Sequence, residues 1–185
     1  MFSEIEAKLK VDSHEEVAKR LGKLGAEFLE EQLQRDYYFD DCEGGFKKSD
    51  RCIRLRHQRS KDGERVFLTY KGAKEKDEFK KRQEIEIEVT DGEGAEEFLL
   101  SLGFERSLDF EKRRRIWRFG NCKVALDELP LLGSFVEIEG PDGERIADVQ
   151  KQLGLSGLGH IMESYACLME DKLCQSGVEE RSICL

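Results

Sequence analysis

Residues 4–11, Glu4-Ile5-Glu6-Ala7-Lys8-Leu9-Lys10-Val11, alternate charged and apolar side chains without a break. A period of two places all the charges on one face of an extended strand and all the apolar groups on the other. The same pattern returns in Arg51-Cys52-Ile53-Arg54-Leu55-Arg56-His57, in Arg82-Gln83-Glu84-Ile85-Glu86-Ile87-Glu88-Val89 and in Phe135-Val136-Glu137-Ile138-Glu139. Weaker forms at 36–40, 65–71, 110–119 and 122–127 bring the expectation to about eight strands.

Helical periods fall between some of them. Ser13 and Glu16 have the spacing of a capping box, Val17, Leu21 and Leu24 form an apolar stripe, and Gly25 ends the helix. Further helices are expected over 93–102, 143–153 and 161–174. Three of these units repeat. From Lys8 to Leu24, from Glu86 to Leu102 and from Glu137 to Leu153 the spacing is the same, and a glycine follows each leucine. No Pro-, Gly- or Ser-rich linker divides the 185 residues, so one domain is expected over 1–173, with a flexible tail over 174–185.

Composition narrows the function. With 31 Lys and Arg against 40 Asp and Glu the net charge is -9, which argues against a general nucleic-acid binder. No run of 18 apolar residues exists to cross a membrane, and Met1 to Glu6 lack the features of a signal peptide. Six cysteines without C-x-x-C spacing, beside three scattered histidines, offer neither a zinc site nor a His-centred triad. They read as reduced thiols of a cytoplasmic protein. There is no phosphate-binding P-loop motif.

What remains are the charged faces. A sheet with one side in water alternates in the same way, and any single strand fits that description. The set does not, because like charges recur two residues apart: Glu4 and Glu6, Arg54 and Arg56, Glu84 with Glu86 and Glu88, Glu137 and Glu139. Such neighbours repel unless something of opposite sign lies between them. Two carboxylates at this spacing, with Cα atoms roughly 7 Å apart, converge on a hard cation, and all-oxygen ligation suits Mg²⁺ or Mn²⁺. Arg and Lys clusters suit phosphate. Closing eight strands into a barrel puts both sets in one lumen wide enough for a small ligand.

The motifs, in order, resemble those of the CYTH or triphosphate tunnel metalloenzyme superfamily. Glu4-Ile5-Glu6-Ala7-Lys8 resembles its E-x-E-x-K signature, Asp36 to Asp40 its D-x-Y-f-D strand, and Ile53-Arg54-Leu55-Arg56 its L-R-x-R strand. Leu68-Thr69-Tyr70-Lys71-Gly72, Arg82-Gln83-Glu84-Ile85-Glu86 and Lys112-Arg113-Arg114 follow. Asp127, Gly133 to Glu139 and Ser164-Tyr165-Ala166-Cys167-Leu168 complete the series. The short class IV adenylyl cyclase type is the nearest in pattern.

The resemblance implies an α+β fold, an eight-stranded antiparallel closed β-barrel with helices packed outside. It implies metal ligation by Glu4, Glu6, Asp127, Glu137 and Glu139, with Mg²⁺ or Mn²⁺. Phosphates are expected on Lys8, Arg54, Arg56, Lys71, Arg82, Lys112 and Arg114. Glu84 and Glu86 are expected to hold a second metal or orient basic groups, and Lys71 and Tyr38 to assist proton transfer. Glu88, Lys10 and Lys123 are read as barrel-mouth charges, and Trp117, at the other parity from Lys112, as a residue packed under a helix. The implied activity is conversion of ATP to cyclic AMP and pyrophosphate. The alternative is hydrolysis of inorganic, thiamine or nucleoside triphosphate, and a second alternative is binding without turnover. Neither nucleic acid nor membrane is expected as a partner, and the barrel exterior offers a surface for a homodimer.

Overall fold

The computed structural model describes residues 3–75, 79–177 and 181–185, with the backbone alone for residues 3 and 4. The strands are β1 (Ser3–Lys10), β2 (Glu27–Asp41), β3 (Cys52–Ser60), β4 (Gly63–Lys71), β5 (Lys80–Val89), β6 (Phe104–Phe119), β7 (Cys122–Leu129), β8 (Gly133–Glu139) and β9 (Ser182–Ile183). The helices are α1 (Glu15–Lys23), α2 (Gly45–Lys48), α3 (Gly92–Ser101), α4 (Gly143–Gln152) and α5 (Tyr165–Ser176). Strand order runs β2-β3-β4-β5-β1-β8-β7-β6, and a pairing of β2 with β6 closes the ring. All eight strands are antiparallel to their neighbours in this ring, so the barrel inferred above is the fold.

The closing pair is the longest, from Glu27 opposite Arg118 to Asp41 opposite Phe104. Its register shifts near Leu29 and Ser107, and bulges there allow long strands to coil around a barrel. Both strands extend well beyond their expected starts at 36 and 110. Residues 27–35 carry Glu, Gln and Arg on both faces, so alternation in hydrophobicity fails even though the strand is regular.

The main apolar core lies outside the barrel. Ala7 and Leu9 of β1, Val124 and Leu126 of β7, and Val136 and Ile138 of β8 face outward and pack under Leu21 of α1 and Ile146, Val149 and Leu153 of α4. Trp117 packs against this cluster, as its parity predicts. α3 covers Phe39 and Leu55 through Leu99. α5 closes one end of the barrel, seating Tyr165, Met169 and Leu173 on Leu108, Phe110, Leu129 and Phe135.

The repeat is a strand–helix unit used three times, as β1-α1, β5-α3 and β8-α4. Each helix ends where Gly25, Gly103 or Gly154 takes a positive φ of 74°, 87° or 70°, a backbone that costs glycine little. The capping box at α1 does not form: His14 occupies the cap position, and Ser13 Oγ instead accepts from the Glu15 N–H at 3.1 Å. α5 begins later than expected because Ser164 caps it, accepting from the Cys167 N–H. Residues 161–163 are thereby free to reach the lumen, where Lys8 Nζ donates to the Glu163 carbonyl at 2.9 Å. The segment expected as a tail supplies the last turn of α5 and a two-residue strand parallel to β6; residues 178–180 of it lie outside the described set. Among the described residues no helix is long and apolar enough to cross a membrane.

Leu21 is fully buried at the centre of the outer core. Leu21→Ala should lower unfolding free energy by about 2–5 kcal/mol, measured by urea denaturation. A change under about 0.5 kcal/mol, the range of surface substitutions, would show that this core does not hold the barrel together.

Candidate active site

The lumen holds a cavity of about 1170 Å³ lined by ten Lys and Arg side chains and six carboxylates among the described residues, with two further carboxylates, Asp36 and Asp127, wholly buried against the lining Arg56 and Arg114. That excess of cations, inside a chain of net charge -9, marks the lumen as a place for an anion. The strand registers arrange its side chains in order from the α5 end outward. β2 contributes Tyr38, Asp36, Gln34 and Gln32, β3 Arg54, Arg56 and Gln58, and β4 Lys71, Thr69 and Phe67. β6 contributes Lys112, Arg114 and Ile116, and β7 Asp127, Ala125 and Lys123.

At the closed end Lys8 is almost fully buried, 3.5 Å from Glu137 Oε1 and over the Tyr165 ring at 4.1 Å. Burial, then the charge of Lys80, lowers its pKa to about 8 against the pull of Glu137 and Glu6. Lys112 is buried 5.0 Å from the same ring. Burial, then Arg114 and Arg56, push its pKa well below the usual lysine value.

Isolated buried ions cost several kcal/mol each, so the chain pairs most of them. Arg56 grips Asp36 with Nε and Nη2 at 2.5 and 2.7 Å. Burial pushes the Asp36 carboxyl upward, but Arg56 and Arg54 outweigh it and hold it well below the usual range. Arg114 binds Asp127 through Nε at 2.7 Å and also reaches Glu137. Glu6 takes Lys80 at 2.5 Å, Glu84 takes Lys71 at 2.5 Å, and Glu86 accepts from Arg54 at 3.3 Å and from Thr69 at 3.0 Å. At the open end Lys123 pairs with Glu139 and Arg65 with Glu88. Lys10 lies at the other end, over the Phe135 ring.

Every phosphate-binding residue expected from the sequence therefore lies in this cavity: Lys8, Arg54, Arg56, Lys71, Arg82, Lys112 and Arg114. Two of them carry buried nitrogens with no hydrogen-bond partner among the described residues, Arg54 Nε and Arg82 Nε. Among the described residues neither Arg82 nor Lys112 has a carboxylate within ion-pair distance.

The expected metal ligands are less uniform. Glu6, Glu137 and Glu139 face the cavity from adjacent strands, with Glu6 opposite Glu139 in register. Their all-oxygen chemistry fits a hard divalent cation. Each is turned toward a cation, and among the described residues no three carboxylates converge on one point. The Glu4 side chain lies outside the described set, its backbone opposite Arg82. Asp127 is wholly buried beneath Arg114 and accepts from the Tyr165 hydroxyl at 2.9 Å, so here it orients Arg114. Tyr38 lines the cavity near Asp36 and stacks on Phe110. Burial and then Asp36 push its pKa up, which makes it a hydrogen-bond donor at neutral pH.

A family model described as the CYTH domain matches residues 3–165. The chain belongs to the CYTH family. This CYTH chain is 31% identical over 171 residues to a Methanocaldococcus jannaschii protein named as a candidate adenylate cyclase, covering 88% of this chain and 95% of that one. It superposes on the PH1819 protein of Pyrococcus horikoshii with a TM-score of 0.78 at 31% identity, over 91% of this chain and 99% of the other. The same fold is found at 18% identity and a TM-score of 0.70, over 96% and 97% of the two chains, in a Hippeastrum protein named as a candidate adenylyl cyclase and described as having a dominant triphosphatase activity.

Several lumen residues of this CYTH domain carry no role in the sequence reading. Lys80 has the parity of Arg82, Glu84 and Glu86 and would have appeared had the strand been started two residues earlier. Asp36 and Tyr165 stand inside quoted motifs, yet their part in fixing Arg56 and Asp127 needs the fold to be seen. Gln32, Gln34 and Gln58 are uncharged and leave no alternation of charge to read.

Asp36→Asn leaves Arg56 without its buried counter-charge and should cost about 3–5 kcal/mol at pH 7. Because the folded-state pKa of Asp36 is depressed, its contribution is present above the unfolded carboxylate value and lost as pH falls through the folded one. Denaturation curves of the two proteins should thus converge in acid. A gap that stays constant from pH 7 to the acid limit would remove the ion pair as its cause.

Proposed function

We propose that the lumen binds a triphosphate with a divalent metal, Mg²⁺ or Mn²⁺, and that the chain converts ATP to cyclic AMP and pyrophosphate. The observation that carries this reading is the surplus of buried cations. Among the described residues Arg82 and Lys112 face the cavity without a carboxylate, and the Nε groups of Arg54 and Arg82 lack partners. A polyanion satisfies such groups, since guanidinium–phosphate contacts are charge-assisted and geometrically matched. The carboxylates of Glu6, Glu137 and Glu139, with Glu4, would hold the metal, which when bound neutralises charge on the phosphate oxygens.

Lys8, Arg54, Lys71, Arg82, Lys112 and Arg114 hold and orient the phosphates. The ATP 3′-hydroxyl oxygen then bonds to the α-phosphorus, the bond from that phosphorus to the α–β bridging oxygen breaks, and pyrophosphate leaves. Positioning and charge neutralisation account for most of the rate in such transfers. We assign the movement of the hydroxyl proton to the Lys71–Glu84 pair, Glu84 accepting it while Lys71 holds the carboxylate in place and Tyr38 donates a hydrogen bond. The relative named for adenylate cyclase supports this choice of reaction. Attack of water on the terminal phosphorus needs the same charged lumen, and the Hippeastrum protein of this fold carries that activity.

Phosphorus NMR of the protein with ATP, and separately with inorganic and thiamine triphosphate, in Mg²⁺ or Mn²⁺, separates the two reactions. Cyclic AMP with pyrophosphate is expected from ATP; orthophosphate without a cyclic product would assign a triphosphatase. Arg82→Ala should weaken triphosphate binding about tenfold, since no described carboxylate competes for Arg82. Glu137→Gln should abolish metal-dependent turnover, and unchanged turnover would rule out Glu137 as a ligand.

A further inference from the structure

One sector of the lumen wall is neutral, and across the β2–β6 seam its Gln34 and Gln32 lie opposite Lys112 and Arg114. β2 carries Gln34 and Gln32 after Asp36, β3 carries Gln58 after Arg56, β4 carries Phe67 after Thr69, and β6 carries Ile116 after Arg114. Gln34 lies opposite Gln58 in register, and Phe67 opposite Arg56, so these side chains share one wall. Gln34 Nε2 donates to Gln32 Oε1 at 2.6 Å and to Gln58 Oε1 at 3.3 Å. Both of its amide hydrogens are used. Its own Oε1 is buried and accepts from no group among the described residues, although the side chain lines the cavity.

A buried acceptor without a donor costs about 1–3 kcal/mol. Polyphosphate cannot relieve that cost, because its oxygens at neutral pH are acceptors. The group that completes Gln34 must bring an N–H or O–H donor, and a ring carrying an amino group would supply one while suiting the flanking Phe67 and Ile116. We infer that the amide trio Gln32–Gln34–Gln58 is the specificity site for the non-phosphate part of the substrate, an aromatic heterocycle whose exocyclic amino group donates to Gln34 Oε1. This rests on the triphosphate reading of the lumen and adds to it which end of the molecule lies against which wall. Amino-purine and amino-pyrimidine rings share the required chemistry.

The test is calorimetric binding of ATP, ITP, CTP, UTP and inorganic triphosphate to the full chain with Mg²⁺. ATP and ITP differ at the amino position on a purine, CTP and UTP on a pyrimidine. At least one amino-bearing nucleotide should bind about tenfold more tightly than its partner, and the pair that shows the preference identifies the ring. In Gln34→Leu the ratio within that pair should fall to about one. A parallel loss for both members and for inorganic triphosphate would make the trio structural and overturn the inference. Equal binding within both pairs by the unaltered protein, with inorganic triphosphate bound, would overturn it without any variant. Failure of all five ligands to bind would instead overturn the triphosphate reading, and this inference with it.

Discussion

A charge placed inside a protein must find a charge of opposite sign, and the barrel is organised around that requirement. Arg56 with Asp36, and Arg114 with Asp127 and Glu137, tie β3 to β2 and β6 to β7 and β8 from the inside. Those contacts fix the guanidinium planes, and on the proposed reading the fixed planes determine where phosphate oxygens would be received. The same bonds would be exchanged when a polyanion and a metal enter together: the cations turn to phosphate and the carboxylates to metal. Until then the paired members hold each other, and the cations without a described partner leave the lumen net positive.

The price of a charged interior appears in the placement of the apolar core. A barrel filled with Val and Leu could stand nearly alone, but this one relies on helices laid against its outside. α1 and α4 cover β1, β7 and β8, α3 covers another sector, and α5 closes one end. The three strand–helix repeats are the means of covering the wall, because each strand delivers its own lid through a turn closed by a left-handed glycine.

The alternation of Glu4 to Val11, Arg82 to Val89 and Phe135 to Glu139 was enough to recover these strands and the inward sides of Glu6, Lys8, Glu84, Glu86 and Glu137, because full charges contrast sharply with Ile and Val. Contrast fails along 27–35, where both faces are polar, and with it the first half of the closing strand and the glutamines on it. It also cannot show which partner a charge will take. Asp127 has the parity of a metal ligand, but the chain brings Arg114 and the Tyr165 hydroxyl onto its oxygens from two other elements. Partnership of that kind is a property of the fold and has no local signature.

The strand order carries a consequence for how the chain reaches this state. β1, the first strand of the barrel in chain order, has Ala7 opposite Ile138 of β8 and its other edge against β5. Neither neighbour is adjacent in sequence, and loop-closure entropy must be met before either pairing returns anything. During synthesis the alternating Glu-Ile-Glu-Ala-Lys-Leu-Lys segment thus waits with both strand edges unpaired until β5 has emerged, and with one edge unpaired until β8 has. Its dense charge serves it in that interval, since an unpaired strand rich in Glu and Lys resists edge-to-edge aggregation where an apolar one would not. The residues that serve the folded lumen also protect the nascent chain.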